Sequence, residues 1–148
     1  MSTVKNPPAS MFNMLGMIPL LGLLLIIYLL LAITGIASFQ AGASSLFTLT
    51  LMSGAHWSPT MGDLFVIMGT LLLFVETIKA TRTSLVSNVE NSLSMLVFIV
   101  YLILFIVMPS AGTSTFLILT LMSLLDALGG FIISTTSARR DVNLNPVS

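Results

Sequence analysis

The chain has 148 residues, of which 56% are hydrophobic and 7% charged, with five basic residues set against five acidic ones and no cysteine. An ordinary soluble domain carries about 25% charged residues, so this composition cannot coat an apolar core against water, and lipid has to be the solvent for most of the surface. Balanced charge gives no sign of a nucleic-acid partner, and without cysteine the chain has no disulfide, thiolate metal site or cysteine nucleophile.

The elements follow in chain order. Residues 1–10 hold Lys5 and the pair Pro7-Pro8 and read as a disordered tail. A first apolar run covers 11–33, close to the length of about 20 residues that a spanning helix needs. It is longer than the apolar region of about 7 to 15 residues in a signal peptide, which favours a retained span. The small residues at 34–38 would nonetheless suit a cleavage site. Pro19 removes a backbone donor, so it either kinks this helix or sits in its first turns. The middle of the run, 20–31, is apolar all round and prefers no face.

The longest connection, 35–62, has no basic residue and contains Gln40, Gly42, Gly54, His56, Trp57 and Pro59. Within it Thr48-Leu49-Thr50-Leu51 alternates polar and apolar, the period of a strand or of a flat interfacial segment. Trp57 beside a span boundary suits an interfacial anchor, and the loop reads as a small lid against the outer membrane surface. His56 stands alone as a surface residue, with no His or Cys partner to complete a metal site.

A second span covers 64–81, entered by Asp63, whose charge suits the exposed amides of a helix start. Lys79 and Arg82 close its other end. After a short polar link at 83–90, a third span covers 91–108 and stops at Pro109. A tight turn at 109–113 leads into the fourth span, 114–137, followed by Arg139, Arg140 and a C-terminal tail at 139–148. The N-terminal tail, the end of the second span at Lys79 and Arg82, and the C-terminal tail thus hold all five Lys and Arg, and the first and third connections hold none. Cytoplasmic loops are enriched in Lys and Arg, so the expected fold is an all-α membrane protein. It is a four-helix transmembrane bundle, 11–138, with both termini on the cytoplasmic side.

Ionisable groups inside a span are costly and call for a partner or a function. Glu76 lies 13 residues after Asp63 and Asp126 lies 12 after Ser114, on two spans that run in the same direction. At 1.5 Å per residue both carboxylates sit about 18 to 20 Å below the outer boundary. Lys79 shares a helical face with Glu76, and Asn91 and Ser94 approach the same depth from span three. The expected polar cluster is therefore Glu76, Lys79, Asp126, Asn91 and Ser94. It serves either as structural glue that sets helix register or as a proton or cation relay. Ser123, Ala127, Gly130 and Ser134, spaced 4, 3 and 4 apart, form a stripe of small residues for close helix approach. Whether an internal helix or another subunit meets that stripe is left open by the spacing.

Residues 76–84 (ETIKATRTS), 93–99 (LSMLVFI), 111–126 (AGTSTFLILTLMSLLD) and 138–141 (ARRD) carry a resemblance. Over roughly 62–141 the chain resembles uncharacterised small four-span inner-membrane proteins of proteobacteria. The resemblance implies a multi-pass location in the bacterial inner membrane and transfers no catalytic residue. Small multidrug transporters share the size but place their essential carboxylate in the first span, where this chain has none.

The sequence offers no phosphate-binding loop, no nucleophile–base set, no metal-ligand set and no cofactor motif. The expectation is a non-enzymatic accessory, assembly or scaffold component of a membrane complex, with the lipid bilayer and a homo-oligomer or larger assembly as partners. The alternative is a small proton- or ion-coupled transporter or channel using Asp126 and Glu76.

Overall fold

A computed structural model describes the backbone of residues 18–81 and 85–144, and the side chains of these residues except 85–88, 134 and 137–144. The N-terminal tail, the part of the first span before residue 18, the link around Arg82 and residues 145–148 lie outside the described residues. Four helices account for most of the described residues: α1 (Leu20–Thr34), α2 (Met61–Ala80), α3 (Leu85–Val107) and α4 (Ser114–Leu144). Two short strands, β1 (Leu49–Thr50) and β2 (His56–Trp57), pair antiparallel in the connection between α1 and α2.

Among the described residues, three helices are long and apolar enough to cross a membrane: α2 over its whole length, α3 over Val89–Val107 and α4 over Ser114–Ile133. The fourth differs from expectation. Helix α1 starts at Leu20, directly after Pro19, and has 15 residues. That is about 22 Å of helix, short of the ~30 Å hydrocarbon thickness. Pro19 takes the N-cap position, where its missing N–H costs nothing, and Gly35 ends the helix in the left-handed conformation, with φ 70°.

Local chemistry explains the other boundaries. Helix α2 begins three residues before the expected position because Thr60 and Asp63 form a capping box. The Asp63 carboxylate accepts the Thr60 backbone N–H at 2.8 Å, while Thr60 Oγ1 accepts the Asp63 N–H at 3.3 Å. Helix α3 reaches back to Leu85 and absorbs most of the expected polar link. It stops at Val107, and a short 3₁₀ turn, Pro109–Ala111, reverses the chain. Helix α4 starts at Ser114 and is capped by Thr113, whose hydroxyl accepts the Phe116 N–H at 3.1 Å. It continues through Arg139 and Arg140, past residue 137, because no Gly or Pro interrupts 131–144 and basic residues favour a helix C-terminus.

The bundle is apolar outside as well as inside. Leu23, Ile26, Ile27 and Leu30 of α1, Leu71, Phe74 and Ile78 of α2, Ile103 and Ile106 of α3, and Leu125, Phe131 and Ile132 of α4 are all exposed. Meanwhile Glu76, Ser94, Thr113, Thr120, Ser123 and Asp126 are buried. A water-soluble protein does not expose so much contiguous apolar surface; a lipid-facing one does.

Helix α4 packs against both α2 and α3, and α1 leans on α2 and α3. The α2–α4 approach is close at a glycine. A Cβ on Gly69 would lie 2.7 Å from Leu119 Cδ2 and 3.0 Å from Met122 Sδ. Nearer the 3₁₀ turn the core is aromatic. Tyr28 stacks on Phe39 at 4.1 Å between ring centres and meets Phe65 at 5.6 Å and Phe116 at 4.9 Å, while Phe116 meets Tyr101 at 5.3 Å. Each such pair contributes about 0.5–1.5 kcal/mol beyond area burial. Phe39, from the long connection, is thereby drawn into the helix core. Both tyrosine hydroxyls find partners: Tyr28 with Thr113 Oγ1 at 2.9 Å, and Tyr101 donating to the Leu21 carbonyl at 3.0 Å.

Candidate functional site

The polar residues expected inside the bundle come from three helices. Helix α2 supplies Glu76 and Lys79 one turn apart, α3 supplies Asn91 and Ser94, and α4 supplies Asp126. Glu76 is 3% exposed and uses both oxygens. Its Oε1 accepts the backbone N–H of Leu20, and its Oε2 accepts Lys79 Nζ at 3.1 Å. The first contact joins α2 to the start of α1. It supplies a partner for a helix-start N–H that has no carbonyl of its own and sets a negative charge against the positive end of the helix dipole.

Lys79 has a second partner in Glu90 of α3. Sequence reasoning missed Glu90, having placed it in the polar link; because α3 starts at Leu85, Glu90 instead lies within the helix. The signal was the spacing of Glu90 and Ser94, four residues apart and so on one helical face. Nor does hydropathy single out the Leu20 N–H, because the apolar run extends back to residue 11 while the helix starts at Leu20.

Asp126, 8% exposed, takes a hydrogen bond from Ser94 and lies within electrostatic reach of Glu76, Lys79 and Glu90. Ser94 thus acts on Asp126 across the α3–α4 contact. Asn91 plays a different part from the one expected. Its Nδ2 donates to the Gly130 carbonyl at 2.6 Å, so it ties α3 to the backbone of α4. The contact is tight enough that a Cβ on Gly130 would fall 1.9 Å from Asn91 Oδ1.

Of the small-residue stripe, Ser123, Ala127 and Gly130 are buried inside the chain's own bundle; the side chain of Ser134 lies outside the described residues. Ser123 Oγ, three residues before Asp126 on the same face, has no hydrogen-bond partner among the described residues. Among those residues, no group of three or more His, Asp or Glu side chains is placed to hold a metal ion. The charged groups at the cluster are three carboxylates and one ammonium.

A second feature lies toward the helix starts. A cavity of about 370 Å³ is lined by residues 38–43 of the long connection, by Thr60, Gly62 and Asp63 at the start of α2, and by 112–115 at the start of α4. The aromatic core around Tyr28 and Phe39 borders it, since Phe39 and Thr113 belong to both.

Comparison with protein families, with curated proteins and with solved structures yields no match for this chain.

Proposed function

We propose that the protein is a four-span component of the bacterial inner membrane with both termini in the cytoplasm, and that it serves a membrane complex as a non-enzymatic accessory, assembly or scaffold subunit. The placement of every Lys and Arg in the termini and around residues 79–82 supports the orientation. The observation that carries the functional reading is the way the intramembrane charges are used. Glu76 binds the start of α1, Lys79 bridges Glu76 to Glu90, and Ser94 and Asn91 each tie α3 to α4. Each contact joins two helices or supports a neighbour that does. Polar contacts between membrane helices contribute only about 0.6 kcal/mol on average, so they specify register more than they stabilise.

The proposal is tested by extracting the full-length chain from its native membrane in mild detergent and weighing the particle by native mass spectrometry. Several copies, or the chain joined to another integral protein, support a subunit role. A mass of 15.8 kDa under every mild extraction condition argues against it.

A second reading, a small proton- or ion-coupled transporter using Asp126 and Glu76, is favoured by one specific observation. Among the described residues three carboxylates share a single ammonium, and the unpartnered Ser123 hydroxyl lies one turn from Asp126. That reading requires flux through the reconstituted protein; the subunit reading requires none.

A further inference from the structure

The connection between α1 and α2 folds into an amphipathic β-hairpin. Pairing of Leu49 with Trp57 and of Thr50 with His56 fixes its register. Because strand side chains alternate between faces, Phe47, Leu49, Leu51 and Trp57 fall on one side. The Phe47 and Trp57 rings confirm this, meeting edge to face at 6.0 Å. The opposite side is polar. There Thr50 Oγ1 meets His56 Nδ1 at 3.1 Å, and Thr48 Oγ1 meets Ser58 Oγ at 3.0 Å.

The apolar side is bare. Phe47, Leu49, Leu51 and Trp57 are 41–50% exposed, and Met52 at the tip is fully exposed. A lone two-stranded hairpin is marginal in water, so an uncovered apolar face on one needs a surface to rest on. Three observations choose the surface. Residues 35–62 contain no Lys, Arg, Asp or Glu, so no charge has to be dragged from water. The hairpin neck, closed by Leu46 N–H on the Pro59 carbonyl at 2.9 Å, sits two residues from the first residue of α2. That helix itself carries exposed apolar side chains from its first turns onward, among them Leu64, Ile67 and Met68. Trp is also the side chain that collects at membrane–water boundaries.

We infer that this hairpin is an interfacial anchor: Phe47, Leu49, Leu51, Met52 and Trp57 insert into the headgroup–acyl boundary of the outer leaflet, and Thr48, Thr50, His56 and Ser58 face water. The inference rests on the membrane-spanning reading and adds a lipid-contact surface to it. A strand ribbon here does what amphipathic interfacial helices do elsewhere. It holds the neighbouring residues 38–43 over the cavity between the starts of α2 and α4.

Trp57 is the chain's single tryptophan and reports its own depth. The full-length protein is reconstituted in phosphatidylcholine–phosphatidylglycerol vesicles, and flotation with the vesicles tests membrane integration separately. Emission is then read with lipids brominated near the glycerol end of the acyl chain and with aqueous iodide. The expected result is strong quenching by the shallow bromolipid and little by iodide. A second protein carrying Met52→Trp and Trp57→Phe reads the tip, and the same pattern is expected there. Integrated protein in which iodide quenches either position and bromolipid does not would overturn the anchor. Quenching by neither would also overturn it, placing the face under a second copy or a protein partner.

Discussion

The Glu76 carboxylate accepts the backbone N–H of Leu20, a contact across 56 positions of sequence that joins the last turns of α2 to the start of α1. Pro19 breaks the chain just before that N–H, so the helix start lies beside a buried acid rather than in water. Replacing the acid separates its two roles. Glu76→Gln keeps a carbonyl for Leu20 and loses the ion pair with Lys79, which still has Glu90. Glu76→Leu loses both and strands a donor, at a cost of about 1–3 kcal/mol. Unfolding by SDS titration in mixed micelles, followed by Trp57 emission, should rank wild type above Gln and Gln above Leu. Equal stability of the Gln and Leu variants would remove the capping role.

Neighbouring glycines on α4 should behave oppositely. Gly130→Ala places a Cβ where Asn91 Oδ1 stands, and overpacking of this kind costs about 1–3 kcal/mol. Gly129→Ala meets no atom within 4 Å and should be neutral, or stabilising by up to ~1 kcal/mol through helix propensity. Adding Asn91→Ala to Gly130→Ala should recover part of the loss, because it removes the clashing group. A double-mutant cycle on unfolding free energy checks both statements.

The two core tyrosines invite a paired test. Tyr28→Phe removes the 2.9 Å hydroxyl–hydroxyl contact with Thr113 Oγ1, leaving the Thr113 hydroxyl with the Phe116 N–H it accepts and no acceptor in Tyr28 for its own proton, and should cost about 1 kcal/mol. Tyr101→Phe removes only an added donor to the Leu21 carbonyl, which also accepts within its own helix, so its cost should be smaller. Thermal unfolding in detergent, measured side by side, should place Tyr28→Phe below Tyr101→Phe.

How much of this was legible in the sequence follows physical lines. Helices α2 to α4 were visible because uninterrupted apolar runs of spanning length have few alternatives in a chain this poor in charge. The Thr60–Asp63 capping box is local and readable, yet hydropathy alone rises only at residue 64 and so places the start of the second span too late. Glu90 looked like part of a polar link because hydropathy cannot tell a loop from a helix end carrying charges. The stripe of Ser123, Ala127 and Gly130 was readable from spacing; that it is buried within the chain was not. Least legible were the contacts that span the sequence: Glu76 with Leu20, Asn91 with Gly130, and Phe39 folded back onto Tyr28. Periodicity describes one element at a time and says nothing of which elements meet.

Orientation has a direct test, since the chain has no native cysteine. Single replacements Ser2→Cys, Ser45→Cys and Ser148→Cys should divide cleanly under a membrane-impermeant maleimide. In intact spheroplasts only Ser45→Cys should label; the other two should label after permeabilisation. Labelling of either terminus in intact cells would contradict the proposed topology.

Proton flux measured in proteoliposomes decides whether the buried carboxylates hold helices together or carry protons. Wild type and Asp126→Asn are reconstituted side by side, with folding of each checked by SDS titration. The expected result is no flux above protein-free vesicles from either protein, and a loss of stability in the variant of ~0.6 kcal/mol, typical of such contacts. Flux in the wild type that disappears in a folded Asp126→Asn protein would instead make the cluster a transport site.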